Sequence, residues 1–277
     1  VRALVRLPQY DPRPFARGIT QTEYTRLINQ KGLPLLHRAV QSIASPGSTF
    51  KLVTSSAALS NGLCSAGSVF YCGGSYAGAN CFVTSGHGSI GFEGSLAHSC
   101  DVVYYMLGVK LGVERLSKHA KTMGLGQQTG IDLPGESEGI LPTADWKWKN
   151  VGDKWYEGDT VNFSIGQGFL LVTPIQMAVV TAAVANGGKV VKPHLVQQVM
   201  SYQGRVLARP GFKPLRRLQV KPNLWAAVRQ GMRGAVLYGT GGACNSEFVQ
   251  VAGKTGTVEN MPNSENLHGR NHTWFVS

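Results

Sequence analysis

The chain has 277 residues, 43% of them hydrophobic, which excludes general disorder and supplies a sizeable core. Its formal net charge is +12, but the basic residues are scattered, the longest cluster being Lys213 to Arg217, and no zinc-finger, RRM or basic-helix pattern is present. Nucleic acid is therefore not the expected partner, and a diffuse positive surface better suits an anionic polymer or lipid headgroups. No stretch approaches the ~20 consecutive apolar residues of a membrane-spanning helix.

In chain order, VRALVRLP reads as a strand over 1–8 already under way, so a piece of a longer protein is expected. SPGSTFK at 45–51 leads into a core helix over 48–60. The stretch 61–91 is rich in Gly, Ser and Cys and is expected to be irregular, as is 126–160. Between them fall helices over 92–111 and 113–123. Thr173-Pro174, a cap followed by proline at the first helical position, starts a helix over 174–186. Strand-like runs at 189–200 and 205–208 flank the turn SYQG, a helix covers 222–235, and strands cover 248–258 and 272–276. The economical architecture is α+β: an antiparallel sheet of segments from both ends, about 1–10 and 189–277, flanked by helices, with a helical lobe inserted over about 40–188. One domain over 1–277, with a cleft where the insert meets the sheet, is the expectation.

Three short motifs carry chemistry. Ser48 and Lys51 lie one helical turn apart on one face, and burying a lysine needs polar partners. At a helix start the free N–H groups favour developing negative charge on Ser48, and a lysine of lowered pKa would take the hydroxyl proton. Taken singly, S-x-x-K is weak and reads more readily as a helix cap before a surface lysine. Ser99-Cys100-Asp101 projects a hydroxyl and a carboxylate from one loop. Lys254-Thr255-Gly256-Thr257 lies in a strand-like run, where the glycine lets another backbone or a ligand come close and the lysine and threonines suit a carboxylate; the alternative is an edge strand with an exposed lysine.

The order S-x-x-K, S-x-[ND], K-T-G resembles the penicillin-recognising serine acyltransferases. HRAVQSIASPGSTFK, TVNFSIGQGFLLVTPIQMA and GMRGAV ahead of GKTGT are similar to the transpeptidase domain of class B penicillin-binding proteins. The S-x-D variant and the GHG at 86–88 most resemble the cell-elongation subfamily. The resemblance implies the penicillin-binding protein/β-lactamase-like transpeptidase fold and a peptidoglycan D,D-transpeptidase acylated by β-lactams. It implies Ser48 as nucleophile and Lys51 as its base. Ser99 would relay a proton to the departing D-alanine, helped by Lys254, while Asp101 orients neighbouring groups or the substrate amide. Thr255, Gly256 and Thr257 would hold the substrate carboxylate, and the N–H groups of Ser48 and Thr257 would form the oxyanion hole. No catalytic cofactor is implied. The implied partners are peptidoglycan stem peptides, β-lactams, a SEDS-type glycosyltransferase and other elongation-complex proteins. An anchor in the inner membrane would leave this domain on the periplasmic side. Two departures stand out: Val258 and Glu259 replace the usual alanine and glutamine, and the family's sheet continues beyond the WFV strand. A serine β-lactamase or β-lactam sensor shares all three motifs, and Glu136, Glu138 and Glu157 lie where a hydrolytic glutamate would be sought. A D,D-carboxypeptidase and a non-catalytic binding module on the same fold are further alternatives.

Five cysteines remain: Cys64, Cys72, Cys81, Cys100 and Cys244. Cys72, Cys81, His87 and Cys100, spaced C-x8-C-x5-H-x12-C, are donors of the type a structural zinc takes, although the spacing is loose. Disulfides Cys72–Cys81 or Cys64–Cys72, or free thiols, are the alternatives. By resemblance, His87 and Cys100 match two ligands of an Asp, Asp, His, Cys zinc site in that subfamily, and Cys81 falls at its second carboxylate. A metal there would pin the middle motif through Cys100.

Overall fold

The computed structural model describes every residue except 210, 212, 213 and 259–271. Helices α1 (Arg13–Ala16), α2 (Gln21–Ile28) and α3 (Arg38–Gln41) come first, and a single 3₁₀ turn, Gly47–Phe50, then runs into α4 (Lys51–Ser60). α4 mixes Leu, Val and Ala with the polar Lys51, Thr54, Ser55 and Ser56, and residues Lys51 to Leu59 are all buried because those polar groups find partners inside. Four short strands follow, β1 (Val69–Cys72), β2 (Ser75–Tyr76), β3 (Ala79–Asn80) and β4 (Gly88–Gly91), then α5 (Phe92–Ala97) and α6 (Asp101–Thr122). Gly112, at φ 72, breaks α6 where the sequence separates two helices.

Next come α7 (Ala144–Val151), α8 (Glu157–Ser164) and α9 (Pro174–Ala185). The start of α9 follows its sequence signal: Thr173 and Gln176 form a reciprocal capping box ahead of Pro174. The Gln176 amide also donates to the carbonyls of Gln127, at 2.9 Å, and Glu138, at 2.8 Å, pinning the long 126–140 loop to the helix. The chain then gives β5 (Lys189–Val190), β6 (Val199–Met200), β7 (Val206–Ala208), β8 (Arg216–Arg217), α10 (Pro222–Leu237), β9 (Lys254–Val258) and β10 (His272–Val276). β9 and β10 pair antiparallel with Thr257 opposite Thr273, and they pack between α9 and α10. The main core runs from α4 through α6, α8 and α9 to α10 and includes the fully buried Phe50, Tyr104 and Trp225.

The α+β class holds, and several expected elements differ. Residues 1–8 form no strand; the segment is largely exposed, and its terminal amine donates to the His194 carbonyl at 2.9 Å. Among the described residues the strands pair in twos, and 189–200 and 248–258 contain much shorter strands than expected. The 61–91 stretch is not irregular throughout: β1 pairs with β4 and β2 with β3. Within 126–160, Thr143 caps α7 through the Trp146 N–H, and buried Lys147 binds Asp159 of α8 at 2.7 Å. Glu259 and part of the Lys213–Arg217 cluster lie outside the described residues.

One buried group sets an expected pH response. His119 of α6 lies 2.9 Å from the Ser56 hydroxyl of α4, and burial pushes its pKa from the usual 6.5 to about 4. The unfolded chain therefore takes up this proton first as pH falls, so stability is complete above about 6.5 and declines down to about 4. Because the ring keeps some solvent access, the loss is roughly 2 kcal/mol, less than the full shift implies. Urea midpoints between pH 7 and 4 should show it, and His119→Gln should flatten that part of the profile.

Candidate active site

The site forms where three elements meet. The first is the turn 46–51. Ser48 is half-buried on it, whereas Lys51, one turn on, is fully buried. The second is the connection from α5 to α6. Ser99 sits there at φ 54, a backbone region that costs a residue with a Cβ about 1 kcal/mol or more. That bend aims both Ser99 oxygens at Lys51: Nζ donates to the Ser99 carbonyl at 2.7 Å and to its hydroxyl at 3.0 Å. Asp101, in the first turn of α6, completes the cradle with Oδ1 at 2.7 Å from Nζ. Its other oxygen accepts the Phe82 N–H at 3.2 Å. A buried ammonium survives only with such partners, so the first two motifs are held as one unit.

The third element is β9. Lys254 is fully buried and donates to the Thr255 carbonyl at 3.0 Å. Burial first, and the Lys51 charge second, push its pKa well below the ordinary lysine value, and Asp101 offsets only part of this. Lys254 is thereby driven toward its neutral form. Along β9 burial alternates, so half-buried Thr255 and exposed Thr257 share the face away from Lys254.

The strand passes against the Ser48 turn at backbone distance. A Cβ on Gly256 would stand 2.8 Å from the Pro46 carbonyl oxygen and 3.3 Å from the Thr49 nitrogen, and one on Gly47 would stand 2.9 Å from the Thr257 carbonyl oxygen. Glycine at both positions brings the Thr257 backbone beside that of Ser48. Behind the turn, the Gly47 N–H donates to the Gly166 carbonyl at 2.9 Å, the Trp274 indole N–H donates to the Ser45 carbonyl at 3.0 Å, and the Phe50 ring stacks on Phe163.

A second cluster adjoins the middle motif. Cys72 ends β1, Cys81 follows β3, His87 precedes β4 and Cys100 caps α6. Their four donor atoms lie within 4.8 Å of one another, and His87 Nδ1 is 3.7 Å from the Cys72 sulfur and 3.6 Å from that of Cys81. A tetrahedral zinc with ordinary bond lengths separates sulfur and nitrogen donors by roughly 3.6 Å, which the two separations from His87 match. Burial, then the charge of His98, lowers the His87 pKa and favours the neutral, ligating ring. At Cys72 burial raises the thiol pKa, but N–H groups of His87 and Gly74 outweigh it and leave it lowered; at Cys100 burial wins and the thiol is pushed up. All five cysteines are free, so neither disulfide considered from the sequence is formed.

The first two motifs meet at Lys51, the backbone of the third passes against the Ser48 turn, and the three cysteines with His87 form the adjoining cluster. Asp101 faces Lys51, one of the neighbouring groups it was expected to orient. Sequence reading missed the Phe82 N–H and the Gly166 carbonyl, which are backbone groups without a residue-type signal. The glutamates considered for hydrolysis do not gather here. The Glu136 carboxylate is occupied by the N–H groups of Thr129 and Gly130 and by the Thr129 hydroxyl, and Glu157 is exposed at the start of α8.

The family model described as "Penicillin binding protein transpeptidase domain" matches residues 1–277. The chain is 33% identical over 274 residues to peptidoglycan D,D-transpeptidase MrdA of Acinetobacter baumannii, covering 94% of this chain and 39% of that protein. It superimposes on Pseudomonas aeruginosa PBP2, solved in complex with WCK 5153, with a TM-score of 0.81 and 32% identity, covering 91% of this chain and 56% of that one. A chain from a peptidoglycan synthase complex, solved to show how polymerization and crosslinking are coordinated, gives a TM-score of 0.79 at 35% identity, covering 94% and 44%. The chain thus spans about two fifths of the length of the curated relative.

Proposed function

The chain belongs to the penicillin binding protein transpeptidase family, and on that premise we propose that it forms peptidoglycan cross-links as the acyl-transferring domain of a D,D-transpeptidase. The observation that carries this is the buried Lys51, tied at once to Ser99 and Asp101 and standing one turn from Ser48. Ser48 Oγ attacks the carbonyl between two terminal D-alanines of a stem peptide, and its proton moves to Lys51 as Lys51 hands one of its own to the Ser99 hydroxyl, 3.0 Å away. Lys51 thus stays an ammonium, held by the Asp101 carboxylate and the Ser99 carbonyl. Negative charge on the carbonyl oxygen meets the N–H groups of Ser48 and Thr257, a stabilisation worth ~3 kcal/mol or more per donor. Ser99, with Lys254 behind it, passes a proton to the departing D-alanine nitrogen as the C–N bond breaks. Thr255 and Thr257 hold the terminal carboxylate from their shared face of β9, with Gly256 keeping the strand close. The amine of a second stem peptide then displaces Ser48, and the cross-link is made. A β-lactam enters the same path and stops at the acyl-enzyme.

The donor geometry supports a structural zinc on Cys72, Cys81, His87 and Cys100, next to the middle motif. Bound there, it would brace the loop of β1–β4 and take no part in proton transfer. The partners of this reading are the glycan polymerase of the SEDS type and other elongation-complex proteins, consistent with the synthase complex among the structural relatives. Among the described residues no helix is long and apolar enough to cross a membrane. Anchoring to the inner membrane, with this domain on the periplasmic side, therefore rests on the family reading.

Intact mass followed for hours after mixing with a penicillin tests the function. One persistent adduct is expected. An adduct that disappears while drug is consumed would make the chain a β-lactamase, and the absence of any adduct would remove the acyl-enzyme reading.

A further inference from the structure

After α10 the chain makes a tight loop, Tyr238-Gly239-Thr240-Gly241, that touches both halves of the site. The Thr240 N–H donates to the Ala97 carbonyl at the end of α5, at 3.2 Å, and the Gly241 N–H donates to the Ala235 carbonyl at 2.7 Å. The Tyr238 hydroxyl donates to Glu93 of α5 at 2.9 Å, and its ring lies 5.7 Å from that of His98, the residue before Ser99. The backbone of Thr240 is therefore fixed to the element that carries the middle motif. Its side chain reaches the other way: the hydroxyls of Thr240 and Thr255 are 2.6 Å apart, close for a neutral O–H···O pair.

We propose that Thr240 is a positioning residue that orients the Thr255 hydroxyl toward the carboxylate of the substrate. A threonine hydroxyl left alone rotates and offers its proton in any direction. When Thr240 donates to it, one lone pair of Thr255 is used and its own proton turns away from Thr240, where an anion can accept it. The donated bond also polarises the second, strengthening it. Through the same residue, the distance between the α5–α6 connection and β9 is set by direct contact. This rests on the proposed role of Thr255 as a carboxylate donor.

The test compares Thr240→Val, which keeps the shape and removes the hydroxyl, with Thr240→Ser in the full chain. Acylation is followed by mass against concentration, using a penicillin with its free carboxylate and the methyl ester of the same penicillin. Thr240→Val should raise the half-saturating concentration of the free acid about fivefold to tenfold, with the limiting rate unchanged, as expected for one lost hydrogen bond. The ester should respond alike in both chains, and Thr240→Ser should restore the wild-type value. In a Thr255→Val background, Thr240→Val should add nothing further, a non-additivity that general loosening of the loop would not produce. Equal weakening for acid and ester, or no change at all while the wild type acylates normally, overturns the proposal alone. A wild-type chain that takes up no penicillin overturns the acyl-enzyme reading and this proposal with it.

Discussion

Ser48→Ala should gain no mass from a penicillin over hours in which the unaltered chain is fully converted, a loss of at least ~10³-fold in acylation. Its melting temperature should barely move, because the half-buried Ser48 contributes little packing. Lys51→Ala should lose acylation to a similar extent for a different reason, and it should also destabilise the fold. Removing the ammonium leaves the Asp101 carboxylate and the Ser99 carbonyl facing a cavity, and breaking a buried pair from one side costs ~3–5 kcal/mol. Urea unfolding of the two variants separates the roles. A Lys51→Ala chain as stable as the original would mean that the buried ion pair is not formed, and a Ser48→Ala chain that still takes the label would move the nucleophile elsewhere.

The second large effect concerns the cysteine cluster. The purified protein should hold one zinc per chain by elemental analysis. Stripping it with a strong chelator should cost at least ~3 kcal/mol, visible as a drop of several degrees in melting temperature. Acylation should slow at the same time, since Cys100 lies between Ser99 and Asp101 in sequence. Zinc binding needs thiolates and a neutral His87, so it should weaken as pH falls. A protein that contains no zinc, takes none up and is indifferent to the chelator would refute the site.

Much of this was legible because it was local. The Thr173-Pro174 cap, the break at Gly112 and the core helix α4 are statements about neighbours in the chain, and each appears where the sequence puts it. The three motifs and the cysteine set were legible as residue types, although only the fold could bring residues 48 positions apart within 3.0 Å, as at Lys51 and Ser99. The strand expected at 1–8 failed because a strand needs a partner, and alternation in one segment carries no information about one. The helices over 144–151 and 157–164 were hidden by Trp, Gly and Asp, while the signals that start them, Thr143 and the Asp159 carboxylate that accepts the Tyr156 N–H, were present and overlooked. Thr240 carried no pattern of its own; only its hydroxyl distance to Thr255 marks it.

The contact of β9 with the Ser48 turn has a genetic corollary. At Gly47 and Gly256 the missing atom is the one every other amino acid possesses, and the space for it is already filled by main chain at 2.8 to 2.9 Å. No missense change at either codon leaves the shape alone, however conservative it looks in a substitution matrix. Both codons can drift only synonymously. Heritable change in the shape of the cleft is therefore easier at its rim, in side chains with room to change.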